Sequence, residues 1–372
     1  MECLLAILLN SIVMVNNGDF LRCIMIGLFL LSPNILFCQT RIFTTDSKNF
    51  DEWNYNQRKI VRSPEIEIIA ESNDGIFYSK NLGDPVKIFD GKNATLTVDS
   101  NLNTYIVYED NGIKYSFRND PVNWAPGILI SDSSEIAYSP LADCDKAGNL
   151  HVLYGVQDSS DNGSTYLCSL KYVKISEGQQ QISSVLYDMS NQDKPDTLVN
   201  YTIATDLLFK DETVFLVYQL SNDSIYVLYS TDNGESWELS FKFPGHNPSL
   251  SVGFGHWSDH HGYDPINIEQ TPIIEDGTIY PVILYTDNDR NLKYRYAHFS
   301  TISKTIYWWY EEKTLHDGPI DYACIDDVII PEPFGYSYIF QKKDTLYQAF
   351  TNFKVNVILD TLSSNAIVSS IA

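Results

Sequence analysis

A repeat of short strands is the feature that most constrains how this chain can fold. Apolar side chains alternate with polar ones over short runs, and turn residues such as Asn-Gly separate the runs, a pattern typical of strands with one buried face. Three runs end in the same Tyr-Ser step, at Tyr78, Tyr115 and Tyr229. The 25 tyrosines and 18 phenylalanines also favour strands over helices. The sequence therefore predicts an all-β protein.

The spacing of the runs predicts how the strands are grouped. Four short strands recur with a period of about 40–50 residues, which is the pattern of propeller blades. We therefore predict a six-bladed β-propeller of four-stranded antiparallel blades over residues 65–372. The first strand of the fifth blade is expected at Thr271–Ile274. The first blade is expected to lack its first strand, which residues 366–371 would supply to close the ring.

The segment Tyr229–Trp237 contains the most specific motif in the chain. It reads YSTDNGESW, and Asp-Asn-Gly favours a tight turn because Asp accepts backbone N–H bonds and Gly tolerates positive φ. The pattern S-x-D-x-G-x-x-W resembles the Asp-box, or BNR repeat, of sialidase-like β-propellers. In that family the motif is a structural staple on the face opposite the active site. The residues that carry the resemblance are Ser230, Asp232, Gly234 and Trp237.

The first 39 residues have the pattern of an export signal. Arg22 precedes an apolar core that runs from Cys23 to Leu31, and Ser32-Pro33 ends this core shortly before Cys38. This pattern predicts a signal peptide over residues 1–39, followed by a polar lead-in over residues 40–64. No other stretch has the length and apolarity of a membrane span. We therefore expect a protein that is secreted or periplasmic.

Net charge and cysteine content limit the partners and the cross-links. The formal charge is −23 at pH 7, so the phosphates of nucleic acids and anionic membranes would be repelled. An extracellular glycan or glycoconjugate is the expected partner, and a monomer is the expected state. Cys144, Cys168 and Cys324 are odd in number, so they are expected to be buried thiols and not a complete disulfide set.

The segment Pro244–Asn267 carries four of the seven histidines. We interpret it as the connection between the fourth and fifth blades, on the face where sialidase-like families place the active site. Three hypotheses remain open: a catalytic or sugar-binding loop, a metal site, and a structural loop with polar residues facing water. The candidate catalytic residues are His256, Asp259, His260, His261 and Tyr263, and Trp257 is the candidate platform for a sugar ring.

Three further residues are expected around the same funnel, namely Arg62, Arg290 and Tyr322. The segment Val61-Arg62-Ser63-Pro64 resembles the Arg-Ile-Pro that opens sialidase domains, in which the arginine binds the substrate carboxylate, but Ser replaces Ile here. Sialidases also need two more arginines, an Asp acid and a Tyr–Glu pair. Six arginines follow the predicted signal peptide, and they do not complete that set. True sialidase activity is therefore not expected.

These patterns predict an exported, sialidase-like, carbohydrate-binding propeller. It binds or processes an extracellular glycan through the loops of the funnel face, as a glycoside hydrolase or polysaccharide lyase if it is an enzyme. The alternative is a non-catalytic scaffold for protein–protein interaction. No cofactor is predicted, and calcium or zinc are the ions that the acidic turns and the histidines would take.

Overall fold

The computed structural model describes the chain from Ile60 to Ser364, with gaps. Every regular element named in that part of the chain is a β-strand, so the prediction of an all-β protein is confirmed. None of the described residues belongs to a helix with the length and apolarity needed to cross a bilayer. The described ranges are 60–63, 65–72, 74–81, 83–118, 123–157, 167–189, 196–205, 213–254, 278–300, 302–309, 312–320, 322–330, 335–342, 345–351 and 356–364.

The described strands form five hydrogen-bonded antiparallel sheets, and the eight-stranded one divides at a single residue pair into two groups of four strands. We therefore number six consecutive groups as sheets 1 to 6. Sheet 1 contains β1 (Ile60–Ser63), β2 (Glu65–Ser72), β3 (Gly75–Lys80) and β4 (Val86–Phe89). Sheet 2 contains β5 (Lys92–Val98), β6 (Thr104–Glu109), β7 (Ile113–Phe117) and β8 (Ile128–Leu129). Sheet 3 contains β9 (Ile136–Cys144), β10 (Leu150–Gln157), β11 (Leu167–Ser176) and β12 (Gln179–Asp188).

The last three sheets repeat this arrangement. Sheet 4 contains β13 (Leu198–Thr205), β14 (Val214–Leu220), β15 (Ser224–Ser230) and β16 (Glu238–Pro244). Sheet 5 contains β17 (His246–Phe254), β18 (Thr278–Thr286), β19 (Leu292–Ser300), β20 (Thr305–Trp309) and β21 (Lys313–His316). Sheet 6 contains β22 (Tyr322–Ile330), β23 (Gly335–Lys342), β24 (Thr345–Thr351) and β25 (Asn356–Ser364). Sheets 3 and 4 are joined by one further pair, Leu167 with Leu198, and β20 and β21 both pair with β19.

Strand direction defines two ends of each sheet. Because the strands are antiparallel, we call the end where each first strand begins the upper end and the opposite end the lower end. The turn from the second to the third strand and the connection to the next sheet lie at the upper end. The connections from the first to the second strand and from the third to the fourth strand lie at the lower end.

The hydrophobic core lies between the sheets. The first strands of successive sheets contact one another, from β1 and β5 through to β17 and β22. One cluster of buried apolar side chains fills each of the five interfaces between successive sheets in the described ranges. Between sheets 2 and 3, for example, Val107 and Tyr115 pack with Val152 and Val173. Burial of apolar area on both faces of the inner sheets therefore stabilises the stack.

A buried carboxylate connects three neighbouring first strands. Asp143 on β9 accepts a hydrogen bond from Thr97 Oγ1 on β5 at 3.3 Å. Its other oxygen accepts the backbone N–H of Thr205 on β13 at 2.8 Å. Asp143 is only 4% exposed, so these partners supply the hydrogen bonds that water would otherwise give.

The structure corrects two predictions about the strands. The first sheet does not lack its first strand, because β1 pairs with β2 over Ile60–Ser63, inside the predicted lead-in. The first strand of sheet 5 is β17 at His246–Phe254, and not the predicted Thr271–Ile274. The segment 366–371, which was predicted to close the ring, lies outside the described residues.

Two of the cysteines belong to sheet 3. Cys144 on the first strand is buried and Cys168 on the third strand is partly exposed, and neither forms a disulfide. Burial, followed by the nearby Asp143 carboxylate, raises the pKa of the Cys144 thiol. Cys144 is therefore a packing residue and not a reactive thiolate.

Candidate functional site

Three first strands, β5, β9 and β17, contain the same kind of bulge near the upper end. In each bulge two residues lie opposite one residue of the second strand. The first of the two has a left-handed backbone, with φ of 50° at Asn93, 51° at Ser139 and 50° at Asn247. A bulge bends its strand and redirects the neighbouring side chains. The residues opposite the bulges are Tyr108, Tyr154 and Tyr285, and those immediately before them are Lys92, Tyr138 and His246.

At two of these junctions a glycine corner brings the sheets close together. The chain reads Phe-Asp-Gly-Lys-Asn at 89–93 and Phe-Pro-Gly-His-Asn at 243–247. A Cβ on Gly91 would lie 2.9 Å from Cδ2 of Tyr108, and a Cβ on Gly245 would lie 2.7 Å from Cδ2 of Tyr285. Glycine is required at both corners because no side chain can fit between the backbone and the ring.

A polar side chain from the preceding sheet fixes each of these two bulges. Glu71, at the end of β2, accepts the N–H of Asn93 at 2.7 Å and the N–H of Ala94 at 2.8 Å. Gln219, at the end of β14, accepts the N–H of Asn247 at 2.8 Å. A bulged residue does not form the regular hydrogen bond between strands, and these side chains accept its backbone N–H instead.

The junction between sheets 2 and 3 has a longer segment in place of the glycine corner. The chain reads Ile-Ser-Asp-Ser-Ser-Glu-Ile at 130–136, and Asp132 orders this segment by accepting the N–H of Ser134 at 2.9 Å. A cleft of about 540 Å³ lies here, a volume typical of small-ligand sites. We call it the 92–138 cleft. Its lining residues are Lys92, Glu109, Asp110, Asn111, Gly112, Ser133, Glu135, Ile136, Ala137 and Tyr138.

Carboxylates from both sheets line the 92–138 cleft. Glu109 is 6% exposed and accepts the side-chain N–H of Asn93. Asp110 pairs with Lys114, with 2.6 Å between Oδ2 and Nζ. Glu135 pairs with Lys171 through one oxygen, and the buried Oε2 has no hydrogen-bond partner among the described residues. The lining is therefore rich in carboxylates, each of whose oxygens can accept more than one hydrogen bond.

One aromatic ring and one ammonium group complete the polar lining. Tyr138 lines the cleft from the position before the bulge of β9, and it also packs against the core between sheets 3 and 4. Lys92 Nζ lies 5.8 Å from the centroid of the Tyr138 ring, within the range of a cation–π contact. Ile136 is 41% exposed and adds an apolar surface. The bulges thus place an aromatic ring and a charged donor at the mouth of the same cleft.

Two tyrosines that lie opposite the bulges have raised pKa values. Burial, followed by the nearby Asp110 carboxylate, raises the pKa of Tyr108 to about 12. Burial and Asp132 likewise raise the pKa of Tyr154 to about 12. Both phenols are therefore protonated at neutral pH and cannot act as bases. None of the ten residues named as the cleft lining is a histidine or cysteine.

The predicted histidine loop has a different place in the topology. Residues 246–254 of the predicted loop form β17. The remaining connection, 255–277, joins Phe254 to Thr278, which lie at the lower end of sheet 5 because Phe254 pairs with Ile279. It is therefore a connection within sheet 5 and not the junction between two sheets. The predicted residues His256, Trp257, Asp259, His260, His261 and Tyr263 lie outside the described residues.

The other three predicted binding residues do not meet at the cleft. Arg62 is opposite Ile66, one residue before the lower end of β1. The predicted funnel lies at the upper end, with the connections between sheets. Tyr322 begins β22 at the upper end, opposite Gln341. Arg290 is also at the upper end, in the turn between β18 and β19, with φ of 64°. Its backbone carbonyl accepts the N–H of Ile320 at 3.0 Å, so the turn is tied to the connection into sheet 6.

The turn at 230–236 has the internal hydrogen bonds expected from its sequence. Ser230 Oγ accepts the N–H of Gly234 at 2.7 Å, and Asp232 Oδ1 accepts the N–H of Ser236 at 2.9 Å. The φ of Gly234 is 86°. Trp237 packs edge-on against Tyr172 of the preceding sheet, with 5.0 Å between ring centroids. The turn lies at the lower end, so it fixes sheet 4 to sheet 3 far along the strands from the 92–138 cleft.

A buried polar network supports this lower contact. His151 is fully buried, and its Nδ1 lies 2.7 Å from the hydroxyl of Tyr172 while its Nε2 lies 3.1 Å from Asp145 Oδ2. A carboxylate only accepts, so Nε2 of His151 carries a proton. The Tyr172 hydroxyl lies within hydrogen-bond distance of both Nδ1 and the backbone carbonyl of Asn233, at 3.4 Å from the latter. Burial opposes ionisation of Asp145, but hydrogen bonds from His151 and Asn149 hold its pKa below the usual value. All groups are satisfied within the fold, which indicates a structural role.

The described residues contain no candidate metal centre. No three His, Cys, Asp or Glu side chains in these ranges are placed to hold an ion. The turn at Asp287 illustrates why acidic turns do not imply calcium here. Asp287 Oδ1 accepts the N–H of Asn291 at 2.8 Å, and Oδ2 accepts its side-chain N–H at 3.0 Å. The carboxylate oxygens are used by the turn itself.

No protein-family model matches this chain, and no curated protein matches it. Solved structures that match this chain include the Aleuria aurantia lectin, described as a six-bladed β-propeller with a novel fucose recognition mode. It is 13% identical, with 82% of this chain and 92% of that chain covered and a TM-score of 0.45. The SapL1 lectin in complex with α-methyl fucoside is 11% identical over 82% and 96% of the two chains, with a TM-score of 0.47. A Hadza microbial sialidase is 12% identical over 80% and 66%, with a TM-score of 0.39. All three TM-scores lie below 0.5, so these likenesses do not establish the function of this chain.

Proposed function

We propose that this chain is an exported glycan-binding protein, built as a six-bladed β-propeller, which holds a saccharide in the 92–138 cleft. Export would follow from the signal pattern of residues 1–39. The blades would be sheets 1 to 6, with sheet 6 beside sheet 1 in a closed ring. The contacts between successive first strands support this arrangement, since such contacts line the centre of a propeller.

The single observation that supports glycan binding is the lining of the cleft. A pyranose ring has apolar C–H faces and a rim of hydroxyl groups, so its binding site needs an aromatic or apolar wall beside strong hydrogen-bonding groups. Tyr138 and Ile136 supply the wall, and Lys92, Glu109 and Glu135 supply charged donors and acceptors. Hydrogen bonds to ionised groups are about twice as strong as those between neutral groups, which favours a ligand rich in hydroxyls.

The proposal is for recognition without turnover. Tyr108 and Tyr154 are protonated at neutral pH, and none of the ten lining residues is one of the arginines that sialidase chemistry needs. A role as a scaffold for protein partners is the rival function. A protein-binding surface would not require a concave polar site of this size beside an aromatic ring.

The test is a glycan microarray probed with the wild-type protein and with Tyr138→Ala and Tyr138→Phe variants. We expect the wild type to bind a restricted set of glycans, Tyr138→Phe to retain most of the affinity, and Tyr138→Ala to lose about tenfold or more through the lost ring contact. Incubation with the best ligand, followed by analysis of its products, checks that no bond is cleaved.

A matched control exists on sheet 4. Lys242 Nζ lies 4.5 Å from the ring centroid of Tyr226, which repeats the lysine–tyrosine contact of the cleft at another site. Tyr226→Ala should leave glycan affinity unchanged. If no glycan binds, the proposed function is wrong. If glycans bind equally to wild type and Tyr138→Ala but not to Trp257→Ala, the site is in the 255–277 connection instead.

A further inference from the structure

The upper turn of sheet 2 carries an Asn-Gly step at the mouth of the 92–138 cleft. Asn111 and Gly112 lie between β6 and β7, and both line the cleft. Asn111 is exposed, and its backbone is left-handed, with φ of 50°. Gly112 has φ of 112°, and no described residue accepts a hydrogen bond from its backbone N–H. The side-chain amide of Asn111 is therefore followed in the chain by a backbone nitrogen that the described fold does not engage.

An asparagine that precedes glycine can change covalently without an enzyme, and asparagine is among the thermally labile residues of proteins. The backbone nitrogen of the glycine attacks Cγ of the asparagine, so a new C–N bond forms while the bond from Cγ to Nδ2 breaks. The proton of the backbone nitrogen leaves with the side-chain nitrogen as ammonia. Water then opens the cyclic imide at one of its two carbonyls, which leaves aspartate or isoaspartate. Glycine favours the attack because it has no Cβ to hinder it.

The turn at 230–236 contains a second Asn-Gly step, which the fold protects. The backbone N–H of Gly234 donates to Ser230 Oγ at 2.7 Å, and Gly234 is buried against the ring of Tyr172. Its nitrogen can attack Asn233 only after this bond breaks and the turn opens. Such an opening has a free-energy cost, whereas an exposed turn reacts from the folded state. The two steps thus share a sequence and differ in their surroundings.

We propose that Asn111 is a site of spontaneous deamidation and that this modification weakens ligand binding in the 92–138 cleft. In the unmodified turn Asn111 Nδ2 donates to Asp110 Oδ1 at 2.9 Å. A carboxylate at position 111 removes this bond and places two like charges side by side. Isoaspartate also adds one carbon to the backbone of the turn, which displaces this part of the lining.

The charged groups at the cleft make it sensitive to one added charge. Three ammonium groups match three carboxylates in number, those of Lys92, Lys114, Lys171, Glu109, Asp110 and Glu135. Deamidation leaves one carboxylate without a counterpart. The effect on binding rests on the function proposed above, whereas the chemical change at Asn111 does not depend on it.

The chemical change is measured by peptide mass spectrometry on purified protein held at 37 °C and pH 8.5, with one sample folded and one in 6 M guanidinium chloride. We expect the peptide with Asn111 to gain the mass difference between aspartate and asparagine at rates that agree within about threefold in the two samples. The peptide with Asn233 should react at least about tenfold more slowly in the folded sample than in denaturant. Asn111→Gln should abolish the change in its peptide, because the longer side chain does not form the five-membered imide.

The effect on binding is measured with the best glycan from the array. Wild type after incubation and fresh Asn111→Asp should each bind at least about threefold more weakly than fresh wild type. Asn111→Gln should bind equally before and after incubation. Asn288→Asp is the matched control, because Asn288 is exposed in the upper turn of sheet 5 and does not line the cleft. It adds the same charge and should leave the affinity unchanged.

The outcomes separate the proposals. If Asn111 stays intact in the folded protein, or is slowed by folding as much as Asn233, the deamidation site is wrong. If Asn111 reacts but incubated wild type and Asn111→Asp bind as well as fresh wild type, or Asn288→Asp weakens binding equally, the effect on the cleft is wrong while glycan binding stands. If no glycan binds at all, the proposed function fails and the effect on binding fails with it, while the mass spectra still decide whether Asn111 is a deamidation site.

Discussion

Two glycines at the lower end provide a direct test of the contact between sheets 3 and 4. Gly234 and Gly148 have almost the same left-handed backbone, with φ of 86° and 85°. Their surroundings differ. A Cβ on Gly234 would lie 2.0 Å from the hydroxyl oxygen and 2.4 Å from Cζ of Tyr172, whereas the nearest atom to a Cβ on Gly148 would be Asp99 Oδ2 at 3.6 Å.

The magnitudes follow from this difference. An L-residue in the left-handed region costs about 1–2 kcal/mol, and this is the expected effect of Gly148→Ala on the free energy of unfolding. Gly234→Ala carries the same cost, and it also displaces a buried ring, which adds about 1–3 kcal/mol. Tyr172 cannot move freely because it packs on Trp237 and bonds to His151. The predicted total for Gly234→Ala is therefore about 2–5 kcal/mol.

The assay is urea unfolding of both variants, monitored by circular dichroism, with and without Tyr172→Ala in the background. In that background the ring is gone, and the cost of Gly234→Ala should fall to the level of Gly148→Ala. Equal costs for the two glycine variants in the wild-type background would refute the packing of the 230–236 turn on Tyr172. Glycan affinity of the folded variants should be unchanged, because the cleft lies at the other end of the sheets.

Three further predictions concern the same framework and the upper junctions. Tyr172→Phe should lower the free energy of unfolding by about 1–3 kcal/mol, because His151 Nδ1 loses its buried partner. Tyr229→Phe is the control: the hydroxyl of Tyr229 bonds the exposed Glu238, so its loss should change the free energy of unfolding by less than about 0.5 kcal/mol in the same urea titration. Burial opposes ionisation of Asp232, but hydrogen bonds from Ser236 and Ser230 hold its pKa below the usual 3.8. The stability that the ionised Asp232 contributes is therefore present above pH 3.8 and is lost as pH falls through the folded-state pKa. Thermal melts from pH 6 to pH 2 should show that the difference in melting temperature between wild type and Asp232→Asn shrinks in the acidic range. Gln219→Ala should destabilise the junction of sheets 4 and 5 by about 1–3 kcal/mol by leaving the N–H of Asn247 without its acceptor, and amide exchange at Asn247 should rise.

The strands themselves were predictable because apolar and polar side chains alternate along a strand wherever one face of its sheet is buried. The runs that end at Tyr78, Tyr115 and Tyr229 are all third strands in the structure. The turn hydrogen bonds of Asp232 were also predictable, because an Asx turn depends on residues close in sequence. The contact of Trp237 with Tyr172 was not, since the two residues belong to different sheets and nothing local specifies their register.

The first strand of sheet 5 shows how the same reasoning fails. The segment His246–Phe254 was predicted to belong to the connection Pro244–Asn267, and it contains Asn247-Pro248 and Gly253, which are residues typical of turns. In the structure Asn247 and Pro248 occupy a bulge, where a left-handed residue and a missing N–H are tolerated. Because this strand was misplaced, the prediction put the histidine-rich connection at the upper end of the sheets, whereas the residues that flank it, Phe254 and Thr278, lie at the lower end. A local signal was available, because Phe-x-Gly-x-Asn occurs at both 89–93 and 243–247.

The 92–138 cleft was not predictable from composition, because it depends on a departure from that repeated corner. At Gly91 and Gly245 the backbone lies so close to a tyrosine ring that an added Cβ would be 2.9 Å and 2.7 Å from the ring, respectively. At the third bulge the residue before Ser139 is Tyr138, and the chain reaches it through the 130–136 segment without a glycine. The bulge is retained, but the connection that leads into it is longer and contains no glycine. A framework that repeats three times can thus be specialised at one junction by the length and composition of a single connection. This connection and the start of β9 contribute Ser133, Glu135, Ile136 and Tyr138 to the lining of the cleft.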